Sequence, residues 1–457
     1  MFASIALLFL TAVPQLATAH HVGTDQVSTE TNSDHGNAAA TRTGWICLPW
    51  NYNNANKGIN ARIYRIDADT DELLSQTGTI SLATSGTTFY ASETCAKPFA
   101  AALSDDSFVV TWERQNAATG AAARLECARI YWDGITWAVD RASAGVGHAI
   151  DESIDPGGSD ANCRTLGVND GYFFVSYSSK TADVAGPPHE RTYTMRTGVF
   201  SWLVSGAPVS VATKLYSGQH WDDANNTITG GFLLSHSDIT RRGDVFLVWE
   251  NRDWNGSVYD SSIQYRILSG PYSAAPLTEV ATGTIATSTS ATLALRRPFV
   301  SGKHPRLYRS ATTTSGASEM VLVYGEENIA TPGDSAAKMR VLSLYNNTLS
   351  GASVTWTANF GLNGNLDRLG SACAVNGTLL EGGIAVANYD SDAGRYLSLQ
   401  HTNGTTHEVM VGTPLWPDRP FALTLPLGGN EYFILSYEGR GVTGSNTNRH
   451  LDVWRLN

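Results

Sequence analysis

Apolar residues in this chain come in short runs that end in an aromatic ring and lead into a carboxylate or an amide. Seven such runs recur every 48 to 75 residues. They are Trp45–Asn51, Phe108–Glu113, Tyr172–Tyr177 and Val245–Glu250, then Met320–Glu326, Ile384–Asp390 and Tyr432–Glu438. Each is too short for a helix and too continuously apolar for a strand with one wet face, so it reads as a strand covered on both sides. Before most of them lies another apolar stretch and a tight turn. Examples are Ser104-Asp105-Asp106, Asn169-Asp170-Gly171 and Gly428-Gly429-Asn430, whose residues tolerate φ > 0. After each comes a polar loop and an alternating strand, as in Ala61–Arg65, Ala128–Tyr131, Ile263–Ile267 and Leu451–Trp454. A fourth strand follows in several units, such as Gly134–Asp140, Pro208–Leu215 and Ser353–Ala358.

Repetition of one strand unit is the dominant signal. Four antiparallel strands per unit, repeated seven times, predict an all-β, seven-bladed β-propeller spanning residues 44–457. A pair of β-sandwiches is the alternative, but it leaves the seven copies without a reason. The last unit stops after its third strand at Asn457. Residues 20–43, a polar lead-in without periodicity, are therefore expected to supply the missing outer strand and close the ring.

The Phe108–Trp112 strand and the Ala128–Tyr131 strand after its loop resemble repeats of secreted bacterial β-propeller and adhesin-like proteins. That resemblance covers the strand pairs, about a third of the chain, and implies no catalytic residue. Asp133-Gly134-Ile135-Thr136-Trp137 is one residue short of the sialidase-type Asp-box and reads as a hairpin turn.

Composition adds the compartment. An apolar run from Ile5 to Val13 closed by Ala17-Thr18-Ala19 predicts a signal peptide over residues 1–19 and secretion. No later stretch is apolar for the length a membrane span needs. Charged residues are only 16% of the chain, with 43 Gly and 12 Trp, which suits an extracellular β-protein. The net charge of −11 speaks against nucleic acid and anionic membranes as partners. Cys47, Cys95, Cys127, Cys163 and Cys373 allow at most two internal disulfides. Sequons at Asn225, Asn255, Asn346, Asn376 and Asn403 would carry glycans only in a eukaryotic secretory pathway. A monomer is expected.

Candidate chemistry falls into two sets that a propeller would bring to one rim. The first precedes or begins each inner strand: Lys97, Asp160 and Arg164, then His220, Asp222 and Asp223, then Lys303, His304, Arg306, Asp367, Arg368, Asp418 and Arg419. Guanidinium forks suit carboxylate or sulfate; the bland alternative is stapling between neighbouring blades. The second set follows the middle strands and includes Glu113, Trp249, Glu250, Arg252, Tyr437 and Glu438. Rings stack on sugars and paired carboxylates can cleave a glycosidic bond, whereas the structural alternative is packing between blades.

The densest polar cluster joins His220–Asp223 to Lys303–Arg309. In residue type it resembles the site of propeller-fold ulvan lyases. That resemblance implies His220, His304 or Tyr308 as proton-transfer groups and Arg306 as the group that neutralises a uronate. The lyases' D-D-H-N pattern meets Asp222-Asp223-Ala224-Asn225, with Ala at the His place. The sequence thus predicts a secreted protein acting on an acidic polysaccharide by β-elimination or hydrolysis. Its rivals are a non-catalytic lectin or adhesin and a protein-binding scaffold. No cofactor is expected; the acidic, Gly-rich Asp151–Asp160 stretch is a candidate calcium loop. It lacks the spaced D-x-D-x-D ligands, and copper at His20-His21 is the weaker reading of a flexible terminus.

Overall fold

A computed structural model describes residues 20–26, 36–52, 58–86, 93–117, 122–151, 164–184, 190–222, 227–229, 236–240, 243–269, 277–302, 318–328, 336–345, 348–358, 372–375, 383–387, 396–401, 406–410, 416–440 and 447–456. Within them the chain is all β, with no helix. The strands form antiparallel sheets in a propeller arrangement, each meandering from an inner to an outer strand.

The second sheet shows the plan. Glu93–Ser104 is its inner strand, followed by Ser107–Asn116, Ala122–Trp132 and Trp137–Asp140, with His148–Asp151 beside the third. The first sheet runs Ala39–Ala40, Trp45–Tyr52, Gly58–Asp67 and Glu72–Ser75. Leu293–Gly302 opens the fourth sheet and Ala372–Val375 the fifth. The count differs from the expected seven. Five sheets keep the four- or five-strand plan, whereas Arg164–Asn169 through Thr278–Ser290 form one sheet of nine. The join is thin: Thr227–Thr229 pairs with the end of Val209–Asp222 and, through Ile228, with Arg252 alone.

Middle strands are apolar throughout because both faces are covered. Phe108, Val110 and Trp112 pack toward the first sheet, while Val109 packs toward the third. Burial of each large side chain contributes about 1.5–3 kcal/mol, and a two-faced strand collects that gain on every residue. Where inner strands crowd together, small residues are required. A Cβ on Gly167 would stand 2.1 Å from the Ala102 carbonyl oxygen. The Asn37 side chain acts as a strand edge, donating to Ala100 O at 2.8 Å and accepting from Ala100 N at 2.6 Å.

The lead-in supplies the expected outer strand. His20–Gln26 pairs with Thr447–Leu456, beyond Asn430–Arg440 and the inner strand Trp416–Leu427. Thr24 donates to Asp452, and Asp25 pairs with Arg62 of the first sheet at 3.1 Å. Tyr432 and Arg455 both reach Asp71 of the first sheet. Val22 packs on a core shared by the first and last sheets. The tight turns are as read: Gly171, Gly428 and Gly429 have positive φ, and the Asp133 carboxylate accepts the Ile135 and Thr136 amides at 2.8 and 2.7 Å. Cys47, Cys95 and Cys127 are buried thiols rather than disulfides, which corrects the disulfide expectation for three of the five cysteines. Cys163 lies outside the described residues.

Two predictions follow from packing. Gly167→Ala should destabilise the fold by about 2–4 kcal/mol, measured as a lower midpoint in chemical denaturation. His450 is buried against Tyr437, ring centroids 5.0 Å apart, and neither ring nitrogen has a hydrogen-bond partner. Burial, then the Arg449 charge, pushes its pKa down from 6.5 to about 4. The folded state therefore resists the proton that the unfolded chain accepts, and stability falls as pH drops from about 6.5 to 4. The loss should be on the order of 2–3 kcal/mol, and His450→Gln should flatten that part of the pH profile.

Candidate functional site

Strand register sets the starts of inner strands beside the ends of second strands. Inner strands begin where second strands end: Ala96 pairs with Glu113, Arg296 with Gly325 and Asp418 with Glu438. In five units one inner residue lies opposite the position just before the corner aromatic. It is Phe99 opposite Thr111, Arg164 opposite Ser176, His236 opposite Val248, Phe299 opposite Val323 and Phe421 opposite Ser436.

These equivalent side chains meet. Phe421 stands edge-on to both Phe99 and Phe299, with centroids 5.9 Å apart in each case. His236 stacks on Phe299 at 3.6 Å, and the Arg164 guanidinium lies 5.0 Å over Phe99. Three phenyl rings from three sheets thus make a floor joined through Phe421, with Arg164 over Phe99 and His236 against Phe299. Val300 N donates to His236 Nδ1 at 3.3 Å, which in the neutral ring puts the proton on Nε2. Nε2–H is a donor, so this ring suits holding an anion better than abstracting a proton.

The same three inner strands carry a bulge immediately before the phenylalanine. The register slips between Ala96 and Phe99, between Arg296 and Phe299, and between Asp418 and Phe421. Each is a one-residue insertion, with Lys97-Pro98, Arg297-Pro298 and Arg419-Pro420 each opposite a single residue of the partner strand. Proline suits a bulge because it has no amide to donate to the ladder. Lys97 has φ +52°, and its ammonium is 3.5 Å from Glu113.

The corner residues lie inside rather than on the rim. Glu113, Trp249, Glu250, Arg252 and Tyr437 are exposed by at most 2%. Glu250 lies 3.5 Å from Arg252 and 3.9 Å from Arg296. Arg114 holds Glu126 through Nε at 2.8 Å and Nη2 at 2.9 Å, and Glu93 through Nη1 at 3.1 Å. Trp112 Nε1 donates to Glu126 at 3.0 Å. The Arg114, Trp112, Glu126 and Glu93 contacts lie within the second sheet, whereas Glu250–Arg296 joins the third sheet to the fourth. The half-buried aromatic at the rim is Trp254, 4.4 Å from Tyr259 across the hairpin turn that contains Asn255.

Most of the lyase-like cluster lies outside the described residues. His220 lies at the end of the outer strand Val209–Asp222, paired with Thr192 and Thr229, not at an inner strand start. His304, Arg306 and Tyr308 lie outside the described residues. The described inner-strand cation of the fourth sheet is Arg296, paired with Glu327 and near Glu250, and Lys303 lies outside the described residues. Arg368 and Asp160 are also outside the described residues. The Asp151 carboxylate accepts from Tyr177 Oη and Arg196 Nη1, each at 2.6 Å. Burial and then that carboxylate push the Tyr177 phenol up. Among the described residues no group of three His, Cys, Asp or Glu side chains could hold a metal.

Sequence reasoning named Lys97, Arg164 and Arg419 but missed His236, Arg296 and the phenyl floor. The signal was present as a basic–Pro–Phe triplet at 97–99, 297–299 and 419–421.

Neither a protein-family model nor a curated protein matches the chain. Among solved structures it is similar to the polysaccharide lyase Uly1, at 10% identity and TM-score 0.47, over 93% of this chain and 90% of that one. It is similar to the BP39L lectin from Burkholderia pseudomallei, at 10% identity and TM-score 0.48, over 93% and 97%. A third is an α-L-arabinanase from Penicillium chrysogenum, at 10% identity and TM-score 0.39, over 95% and 97%. The fold rests on the strand pairing above.

Arg114→Gln should lower stability by about 3–5 kcal/mol, because it strands two buried carboxylates; the melting temperature checks this.

Proposed function

We propose that the protein is secreted and carbohydrate-active, a closed propeller of seven blades whose rim holds an acidic polysaccharide over the axis. The nine-stranded sheet then counts as two blades, Arg164–Asp222 and His236–Ser290, joined by a stray three-residue strand. The shared core and cross-links between the first and last sheets support closure. The observation that carries the ligand class is the axial floor, three phenyl rings with Arg164 lying over one of them. Rings offer the apolar face of a sugar a partner, and the guanidinium offers its carboxylate a bidentate one. The Trp254–Tyr259 hairpin adds a second ring surface on the same rim.

Among reactions, β-elimination suits these residues better than hydrolysis. Arg164 can neutralise a uronate and so acidify its α-proton, while Glu113 and Glu250 are buried beside cations and unsuited to flank a glycosidic bond. Binding without turnover is the second reading. It is favoured by His236, whose Nδ1 already accepts the Val300 amide.

Purified protein incubated with uronate polysaccharides should give absorbance of the unsaturated product near 235 nm. Arg164→Gln should cut kcat/KM at least about tenfold, the scale of one charged hydrogen-bonding contact, and Trp254→Ala about fivefold, the scale of one aromatic contact. Retained binding on a glycan array without any 235 nm signal would move the assignment to the lectin reading. No binding on the array at all would remove the carbohydrate reading.

A further inference from the structure

We infer that the protein carries a further sugar site at the end of its sheets away from the rim. It is a cleft lined by Arg65, Asp67, Asp69 and Gln76 that takes one ring of a neutral glycan. The inference stands apart from the rim reading and does not need it.

Strand ends give the position. Trp45 opens the second strand of the first sheet, and Leu427 closes the inner strand of the last. Both therefore lie away from the end where Glu113 and Glu438 meet the inner strands. A cleft of about 270 Å³ opens there, with Leu74 and Leu427 as apolar walls and Arg65, Asp67, Asp69 and Gln76 as polar ones. That volume falls just under the roughly 300 Å³ at which small-molecule pockets begin, so it has room for one sugar ring rather than a chain.

Arg65 is the group that sets this cleft apart from ordinary surface. It pairs with Trp45 across the strands, and its guanidinium lies 4.9 Å over that indole. Trp45 is itself braced, stacked on Trp132 at 6.1 Å and edge-on to Trp137 at 5.1 Å. Two carboxylates share the cleft with this exposed arginine, yet it forms no ion pair with them among the described residues. A free arginine gives up much rotamer freedom when a ligand fixes it. Stacking on a braced ring removes part of that loss in advance. Asp67 is held as well, since one of its oxygens accepts the Asp69 and Thr70 amides at 3.0 and 3.3 Å. The Asp69 and Gln76 side chains make no hydrogen bond among the described residues.

This arrangement selects the ligand. Donors and carboxylates kept apart around one cleft suit a group that donates and accepts at once, and a sugar hydroxyl does both. The C–H face of the ring suits Leu74 and Leu427. One cation against two carboxylates leaves the cleft net negative, which disfavours a uronate or a sulfate. The rim, with Arg164 over Phe99, has the opposite preference.

The test is calorimetric titration of the intact protein with cellohexaose, mannohexaose and maltohexaose as neutral probes and trigalacturonate as the acidic one. At least one neutral probe should bind. Arg65→Gln and Asp69→Asn, both at exposed positions, should each weaken it about five- to tenfold, the scale of one hydrogen bond. Trp45→Ala should weaken it about threefold by freeing the guanidinium; should that variant fail to fold, the other two decide. Arg164→Gln should leave neutral binding as it is. The inference is overturned if no neutral probe binds wild type, or if either Arg65→Gln or Asp69→Asn binds within twofold of it. It is also overturned if Arg164→Gln removes neutral binding, which would place the sugar on the rim, or if Arg65→Gln removes trigalacturonate binding. Neutral binding that needs Arg65, with no acidic glycan bound by wild type, keeps this site and sinks the rim reading alone.

Discussion

A sheet whose two faces are both apolar must be covered twice, and in this chain the cover is another copy of the same sheet. That constraint explains the near-continuous apolar runs, the small residues at Gly167 and Ala102 where inner strands crowd, and the cross-links from the last sheet to Asp71 and Arg62 of the first. It also explains why His20–Gln26 is drawn out of a polar lead-in. The third strand of the last sheet needs a partner, and an unpaired edge is costly in an otherwise paired fold.

The same constraint sorts polar residues into two kinds. Corner groups such as Trp112, Arg114, Glu113 and Glu250 recur because every sheet needs a polar cap where its faces end. Their charges are matched among themselves and withdrawn from solvent. Axial groups differ from sheet to sheet. The equivalent position holds phenylalanine three times, arginine once and histidine once. Repetition marks what the corners share, and variation is confined to one register position of the inner strands.

The fold class was legible because strand periodicity and turn chemistry are local properties. Runs ending at Trp112 or Trp249 and turns at Asp170-Gly171 and Gly428-Gly429 need no knowledge of distant residues. The outer strand was legible too, from a last unit one strand short. Lys97, Arg164 and Arg419 could be read as inner-strand cations because each adjoins an apolar stretch.

The remainder was decided in three dimensions. Whether Glu250 faces a ligand or Arg252 depends on which way a corner turns, and His220 and His304 look alike in sequence although one ends an outer strand and the other follows an inner one. A residue at position 99 has no local reason to meet residues 299 and 421. Only the approach of sheets whose inner edges share an axis makes them neighbours, since side-chain contacts across hundreds of residues are set by packing and not by propensity.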